Sequence, residues 1–187
     1  MLLRSFLMLV VLTVLTGVAY PLVVSGIAKV FFNDQAKGQI IYSHGQAVAS
    51  RLIAQKISSP KYFWPRPSGA DYNAASSSGT NLGPISADLK KPYEERKATL
   101  KAAHPGQGEP PQDLLFASGS GLDPEITPAA AFYQLNRVAT ARSLNEEQKG
   151  RLKSLVDSHI QGPTLGFIGE ARVNVMDLNL ALDAMKE

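Results

Sequence analysis

The chain has no cysteine among its 187 residues, and several common functional patterns are missing with it. Without cysteine there is no disulfide framework and no thiol nucleophile, while an oxidising and a reducing compartment both remain open. Lysine and arginine never occur more than two in a row, so the net charge of +3 is no sign of nucleic-acid binding. Two glycine patterns of phosphate-binding loops, Gly-x4-Gly-Lys-Ser/Thr and Gly-x-Gly-x2-Gly, are also absent. These absences argue against a disulfide scaffold, a nucleic-acid partner and a standard nucleotide site.

What the sequence does contain is one long uncharged run near its N-terminus. Residues 6–28 hold 23 positions without a charge, between Arg4 and Lys29. A helix of that length spans about 34 Å at about 1.5 Å per residue, and a bilayer core is about 30 Å thick. A cleaved signal peptide is the alternative, since Gly26 and Ala28 form a small-x-small pattern, but its apolar region would be only about 7–15 residues long. We therefore predict a retained transmembrane helix.

Proline and small residues within this run predict where the helix deviates and where another helix packs. Pro21 removes one backbone donor, so we expect a kink or an irregular last turn. Gly17 and the small residues Thr13, Ser25 and Gly26 allow close approach of a neighbouring helix. We predict that Gly17 and Pro21 contact a partner helix. The alternative is the general abundance of glycine and proline in membrane helices.

The charges that flank the run do not decide its orientation. Arg4 and the α-amino group on one side nearly balance Lys29 and Lys37 on the other. A tail of only five residues favours an N-terminus that stays inside while the rest is exported. The remaining 159 residues are enough for one domain with its own core. We expect a cytoplasmic tail over 1–5, a transmembrane helix over 6–28 and an extracytoplasmic domain over 29–187.

Local patterns in the rest of the chain predict an α+β fold in which helices dominate. The capping residues Ser86 or Asp88, Thr127 and Asn145 mark three helix starts. A Pro- and Ser-rich composition over 58–84 predicts either a loop or a surface segment ordered by its own aromatic residues, Tyr62, Phe63, Trp64 and Tyr72. In chain order, we expect a hairpin over 39–49, the segment 58–84, a helix ending near 103, a loop over 107–112, helices from 128 and 146, a strand over 172–175 and a helix over 178–185.

No pattern in the sequence predicts catalysis or a metal site. The three histidines, His44, His104 and His159, are scattered, and none has a second metal ligand in a suitable spacing. The Ser118–Asp123 loop comes nearest to a nucleophile turn. The alternative function is therefore a membrane-anchored extracytoplasmic hydrolase that uses this loop with His159.

Three polar residues are candidates for contact with ATP. Ser118 and Ser120 lie in a small, glycine-rich turn whose backbone N–H groups suit an anion. Residues 144–148 bear a faint resemblance to the signature motif of transporter ATPases, which adds Gln148. No lysine follows the turn, and a helix capping box accounts for Gln148, so we expect this chain to bind no cofactor alone.

Three blocks of sequence carry a family resemblance. The first block, over 62–84, contains Tyr-Phe-Trp-Pro-Arg-Pro-Ser and Ser-Ser-Gly-Thr-Asn-Leu-Gly-Pro. The second, over 117–142, contains Ala-Ser-Gly-Ser-Gly-Leu-Asp-Pro and Thr-Pro-Ala-Ala-Ala. The third, over 168–183, contains Ile-Gly-Glu-Ala-Arg-Val-Asn-Val. With the N-terminal run, these blocks cover essentially the whole chain, which resembles the C subunits of bacterial Kdp potassium-transporting ATPases. Ser78 and Thr80 stand where that family usually has Gly and Ser.

The resemblance implies a non-catalytic, single-span subunit of an ATP-driven potassium uptake pump in the bacterial inner membrane. In that family a channel-like subunit carries the ion path and a P-type ATPase subunit hydrolyses ATP. The C subunit holds the assembly together, with its N-terminus cytoplasmic and its domain periplasmic, in contact with membrane lipid and not with nucleic acid. A catalytic-chaperone role, which raises the ATP affinity of the ATPase subunit, is also implied. ATP would then act through the complex.

Four residues outside the membrane run are predicted to contact the partner subunits, namely Tyr62, Phe63, Arg66 and Asn81. Arg66 is the best anchor, because a guanidinium group can pair with a carboxylate while it stacks on an aromatic ring. The alternative for Arg66 is an ion pair within the domain.

Overall fold

The computed structural model describes residues 1–43 and 45–185, and the chain divides into two compact units. The first unit runs from Met1 to Val48 and the second begins at Ala49. The expected mixture of helix and sheet is present, with helices dominant.

An exposed apolar helix of 30 residues, Leu2–Phe31, forms most of the first unit. Its mean hydropathy reaches 2.4, so by length and composition it can cross a membrane. It consists of α1 (Leu2–Val14), a π-helical turn (Leu15–Ala19) and α2 (Tyr20–Phe31). The helix thus extends beyond the uncharged run at both ends.

The π-helical turn explains how the helix accommodates Pro21. In a regular α-helix the proline ring would collide with the carbonyl of Gly17 and would leave it without a donor. The turn widens the helix at that point, where the Tyr20 N–H donates to the Leu15 carbonyl, five residues back. The irregularity expected from Pro21 therefore lies before the proline, not in the last turn.

A short helix and a hairpin follow the apolar helix. Helix α3 spans Asn33–Ala36, and strand β1 (Ile40–Ser43) pairs with β2 (Gln46–Ser50). This confirms the hairpin expected over 39–49. His44, which the sequence places at its turn, lies outside the described residues.

The second unit contains the remaining elements, and three of its helices start where the capping residues predict. Ser86, Thr127 and Asn145 each accept a backbone hydrogen bond at the start of a helix. In chain order the elements are a 3-10 turn (Ala74–Ser76), α4 (Ala87–Ala103), α5 (Gln112–Leu115), β3 (Glu125–Ile126), α6 (Pro128–Ala141), α7 (Glu146–Ser158), β4 (Ile160–Gln161), β5 (Arg172–Asn174) and α8 (Val175–Ala184).

Two expected boundaries were wrong. The loop over 107–112 ends early, because Gln112 already begins α5. The last helix starts three residues before 178, because the Asn174 side chain accepts hydrogen bonds from the N–H groups of Met176 and Asp177. That cap also ends strand β5 at Asn174.

A small antiparallel sheet and the helices α4 to α8 enclose the core of the second unit. The strand order is β3-β5-β4, with Ile126 and Ile160 both opposite Val173. Helix α6 contacts α7, and α7 contacts α8. The buried side chains of the core include Phe63, Leu100, Leu114, Ile126, Val138, Leu152, Val156, Val173, Val175, Leu178 and Leu182. The core thus lies between the helices and one irregular segment, which contributes Phe63.

Candidate partner interface

Residues 59–67, here called the interface segment, are held to the helices by two buried side-chain amides. On α8, Asn179 Oδ1 accepts from the Phe63 N–H at 2.8 Å, and Asn179 Nδ2 donates to the Phe63 carbonyl at 2.9 Å. On α6, Gln134 makes the same two bonds to Trp64, at 2.7 and 3.1 Å. Each amide satisfies both backbone groups of one residue, so an irregular segment can cover the core without strand pairing.

Arg137 is a buried cation beneath the interface segment, and its side chain has four neighbours there. Its guanidinium group donates to the Pro60 carbonyl at 2.5 Å and to Gln134 Oε1 at 2.7 Å. Its central carbon lies 3.9 Å from the centre of the Trp64 ring, and its Nε donates to His104 Nε2 at 2.9 Å. Burial lowers the pKa of Arg137 to about 10, so the group stays charged at neutral pH.

His104, the residue that ends α4, is buried next to this cation. Its Nδ1 lies 2.7 Å from the Leu100 carbonyl, so Nδ1 carries the proton and Nε2 accepts from Arg137. The rings of Tyr133 and Trp64 lie 4.6 and 5.8 Å away, centre to centre. Burial lowers the pKa of His104, and the charge of Arg137 lowers it further. The arrangement therefore requires a neutral imidazole.

Tyr62 is tied to the end of α8 through its hydroxyl group. The hydroxyl donates to Asp183 at 3.0 Å, and this bond is the main reason why the pKa of Tyr62 is raised. Arg142 pairs with the same carboxylate at 2.6 Å and donates to the Lys61 carbonyl at 2.9 Å. Its guanidinium carbon lies 5.0 Å from the centre of the Tyr62 ring. Tyr62 is partly buried by these contacts.

Arg66 forms the ion pair within the domain that was the alternative to a partner contact. Its guanidinium group lies 3.0 Å from Asp123, and both side chains are partly exposed. The Tyr72 hydroxyl donates to the Arg66 carbonyl at 2.8 Å, and burial raises the pKa of Tyr72 to about 12. The Ser118 N–H donates to the Pro67 carbonyl at 3.1 Å. Arg66 thus links the interface segment to the loop before Asp123, and its contact with a partner stays a prediction.

The other predicted interface residues differ in their accessibility. Phe63 has no exposed surface, because its ring fills the core, and its side chain therefore cannot belong to an exposed interface. Asn81 is exposed and has a left-handed backbone with φ of 52°. Gly17 and Pro21 are exposed on the apolar helix. Contact of these three residues with a partner also stays a prediction.

Residues 118–121 pack closely against the loop that contains Ser77 and Ser78. The Ser77 hydroxyl donates to the Ser120 carbonyl at 3.0 Å. Gly121 has φ of +69°, and a Cβ atom there would lie 2.7 Å from the Ser78 carbonyl oxygen. Both the positive φ and the close approach require glycine. The turn is therefore a packing junction between two loops.

The loop shows no nucleophile paired with a base. Ser118 is 2% exposed, and its hydroxyl has no hydrogen-bond partner among the described residues. The Ser120 hydroxyl accepts from the Leu122 N–H at 3.1 Å. His159 instead lies with Nδ1 2.8 Å from the Leu155 carbonyl, at the end of α7. In the part of the chain that the structure describes, neither serine is thus hydrogen-bonded to the histidine that the hydrolase alternative requires.

The three candidates for ATP contact are not brought into one cavity. Ser118 and Ser120 line an open cavity of about 400 Å³, whose described lining includes Asp123 but no lysine, arginine or Gln148. Gln148 is engaged in the expected capping box, accepting from the Asn145 N–H at 2.8 Å and donating its own N–H to Asn145 Oδ1 at 2.9 Å. Among the described residues, no three His, Asp or Glu side chains gather as metal ligands either.

Sequence reasoning did not single out the residues that hold the interface segment. Gln134, Arg137 and Asn179 are buried polar residues on helices whose neighbours are apolar. Asn179 follows Leu178 and precedes Leu182 by three positions, so it lies on the inward face of α8. A polar residue inside an apolar stripe was the available signal, because buried amides require hydrogen-bond partners.

Comparison with known proteins shows one consistent similarity. The family model described as KdpC, the c chain of a K+-transporting ATPase, matches residues 2–184. A protein of Variovorax paradoxus (strain S110) named potassium-transporting ATPase KdpC subunit is 50% identical over 177 residues, 92% of this chain and 90% of that protein. A protein of the same name from Serratia proteamaculans (strain 568) is 48% identical over 186 residues, 97% of each chain. A third, from Dechloromonas aromatica (strain RCB), is 50% identical over 182 residues, 95% of this chain and 94% of that protein.

Proposed function

The chain belongs to the KdpC family of K+-transporting ATPase c chains, and on this premise we propose that it is the non-catalytic subunit that stabilises assembly of the pump. Its proposed partners are a channel-like subunit that carries potassium and a P-type subunit that hydrolyses ATP. The observation that carries the proposal is the family match over 2–184, which includes the apolar helix and the folded unit alike. The hydrolase alternative is disfavoured by the same match and by the lack of a Ser118–His159 hydrogen bond among the described contacts.

The proposed placement is in the bacterial inner membrane, with residues 1–5 cytoplasmic and the domain after the helix periplasmic. Support comes from the apolar helix Leu2–Phe31, which by length and composition can cross a membrane. Its π-helical turn and the open space around Gly17 allow a neighbouring helix to approach there. We propose Gly17 and Pro21 as the contacts of this chain with a partner helix.

For the folded unit, we propose that the interface segment presents Tyr62 and Arg66 to the other subunits. The amides of Asn179 and Gln134 fix its backbone before any partner arrives. A preformed surface binds more tightly, because less conformational entropy is lost on association. This rigidity is what an assembly subunit requires.

We propose that ATP is not bound by this chain alone and acts through the complex. The cavity next to Ser118 and Ser120 offers a triphosphate an aspartate and, in its described lining, no cation. Any effect on the ATP affinity of the P-type subunit would then arise because this chain binds one pump conformation better than another. That is the sense in which a catalytic-chaperone role fits this structure.

Co-purification tests the proposed function. The full chain, tagged at its C-terminus, is expressed with the other pump genes, extracted in mild detergent and captured. We expect the channel-like and P-type subunits to be retained in fixed ratio, and potassium-stimulated ATPase activity to be lost when the chain is omitted. Capture of the chain without these subunits, from membranes that contain them, would contradict the proposal.

A further inference from the structure

A small loop in the second unit exposes apolar side chains that no described residue of that unit covers. Residues 163–169, here called the finger, are closed by Thr164 and Ile168, whose backbone groups exchange hydrogen bonds of 2.9 Å in both directions. Leu165, Phe167 and Ile168, here called the fingertip, are 79%, 77% and 51% exposed. Single exposed apolar residues are ordinary, but three at the end of one loop form a patch.

The backbone of the finger holds this patch in place, and it does so with one residue in a strained conformation. Leu165 has φ of +55°, which is left-handed and unfavourable for a bulky residue. The Gly166 N–H donates to the Pro163 carbonyl at 3.0 Å, so the turn is tight. No residue from Ile160 to Gly169 is charged. A strained, closed and uncharged loop with an apolar end has the form of an anchor for a pocket in a partner.

The base of the finger continues into the surface that carries Arg66. A cleft of about 430 Å³ is lined by both, with Gly169 and Glu170 on one side and Arg66 on the other. Its ionisable residues are Arg66, Arg172, Asp113, Asp123, Glu125 and Glu170. Two ion pairs, Arg66–Asp123 and Arg172–Glu125, leave an excess of carboxylates. An apolar tip next to a charged rim is the usual anatomy of a protein interface.

We propose that the fingertip inserts into an apolar recess on another subunit of the same pump, and that the acidic cleft at its base faces basic or hydrogen-bond-donating groups around that recess. This proposal rests on the proposed function and names one contact of it. A bilayer is the other surface within reach of a membrane-anchored chain. The excess of carboxylates beside the fingertip would be repelled by anionic headgroups, and no lysine or arginine of the finger would attract them. A protein recess is therefore the occupant that the charges favour.

Photo-cross-linking in the assembled complex tests this contact. Benzoylphenylalanine replaces Phe167 in the full chain, which is expressed with the other pump genes, and Ile85 is replaced in the matched control. Ile85 is 99% exposed, more than Phe167, and lines a different surface depression, beside Leu89 and Tyr93. We expect an adduct with another pump subunit from position 167, at a yield about tenfold above that from position 85. Adducts with lipid alone, or equal yields from both positions, would overturn the proposal.

Paired substitutions give an independent measurement. We expect the double variant Leu165→Ser/Phe167→Ser to retain about tenfold less pump on capture, while Ile85→Ser retains as much as the native chain. Fluorescence of Trp64, the single tryptophan, monitors folding of each variant. Full retention by the double variant would overturn the fingertip contact while the native chain still captures the pump. Failure of the native chain to capture any subunit would overturn the proposed function itself.

Discussion

At the scale of single residues, the buried pair of His104 and Arg137 depends on a single protonation state, because His104 must stay neutral beside the Arg137 cation. The imidazole accepts a hydrogen bond from the Arg137 cation, donates to the Leu100 carbonyl and lies beside the rings of Tyr133 and Trp64. A proton on Nε2 would remove the acceptor and place two positive charges side by side in a buried site. The interface segment depends on this pair, because Arg137 also binds the Pro60 carbonyl.

We therefore predict that acid destabilises the folded chain through His104. The folded pKa of His104 is lowered, whereas the unfolded chain titrates near the ordinary value of 6.5. Between the lowered value and 6.5 only the unfolded state binds the proton, so stability is complete above 6.5 and falls as the pH decreases through that window. Urea unfolding of the full chain in detergent, followed by Trp64 fluorescence at several pH values, measures the effect. A variant His104→Gln should lose most of this pH dependence, and an unchanged slope would contradict the assignment.

Gly121 supports a second prediction at this scale. Gly121→Ala should lower the free energy of unfolding by about 1–3 kcal/mol, because alanine disfavours a positive φ and its Cβ would approach the Ser78 carbonyl. Gly119→Ala is the matched control in the same turn, since its Cβ would meet no described atom within 4 Å. We expect the control to change stability by less than about 0.5 kcal/mol. Equal effects of both substitutions in urea unfolding would show that the close approach is unimportant.

At the scale of elements, the second unit covers its core with an irregular segment in place of a strand. Three prolines, Pro60, Pro65 and Pro67, lie within the interface segment over 59–67, so continuous strand pairing is not available to it. Side-chain amides from α6 and α8 replace the missing strand, and each binds both backbone groups of one residue. The helices thus act as the hydrogen-bonding partners of the loop.

This arrangement predicts a large effect of removing one amide. Asn179→Ala leaves the N–H and the carbonyl of Phe63 without partners in a buried site, and we expect a loss of about 2–4 kcal/mol. Asn145→Ala removes an exposed helix cap and should cost only about 1 kcal/mol. Thermal or urea unfolding compares the two. A loss at Asn179 no larger than at Asn145 would mean that water replaces the amide.

At the scale of the whole molecule, the chain combines an apolar helix with a folded unit that carries a preformed surface. The absence of native cysteine makes the membrane topology easy to measure. We predict that a cysteine at Ser120 reacts with an impermeant maleimide in intact spheroplasts, while a cysteine at Ser5 reacts only after lysis. Ser120 is exposed in the folded unit and Ser5 precedes the uncharged run 6–28, so access to reagent depends on the side of the membrane. The reverse labelling pattern would place the domain in the cytoplasm.

The affinity of the whole chain for ATP is a further property that can be measured. We predict that the purified full chain binds MgATP no more tightly than about 1 mM, equivalent to about 4 kcal/mol, because the described lining of the serine cavity holds no cation. Isothermal titration calorimetry measures this directly. Saturable binding near micromolar affinity that is abolished by Ser118→Ala, Ser120→Ala or Gln148→Ala would show direct ATP contact by this chain.

Local sequence determined most of the elements of this protein. Caps at Ser86, Thr127 and Asn145 start helices because a side-chain oxygen satisfies free N–H groups within the same few residues. The apolar helix follows from composition alone, since its 23 uncharged positions are contiguous. Such features depend on neighbours in the chain, and a sequence displays them directly. The residue blocks over 62–84, 117–142 and 168–183 also sufficed to identify the family.

Tertiary structure decided which of the singled-out residues are accessible and what they bind. Phe63 and Arg66 are three positions apart in one motif, yet Phe63 fills the core and Arg66 pairs with Asp123, 57 residues further along the chain. Gln134 and Asn179 take their partners across 70 and 116 residues. Hydrogen bonds of that separation leave no local pattern, because they depend on how the helices pack around the segment and not on the sequence next to either partner.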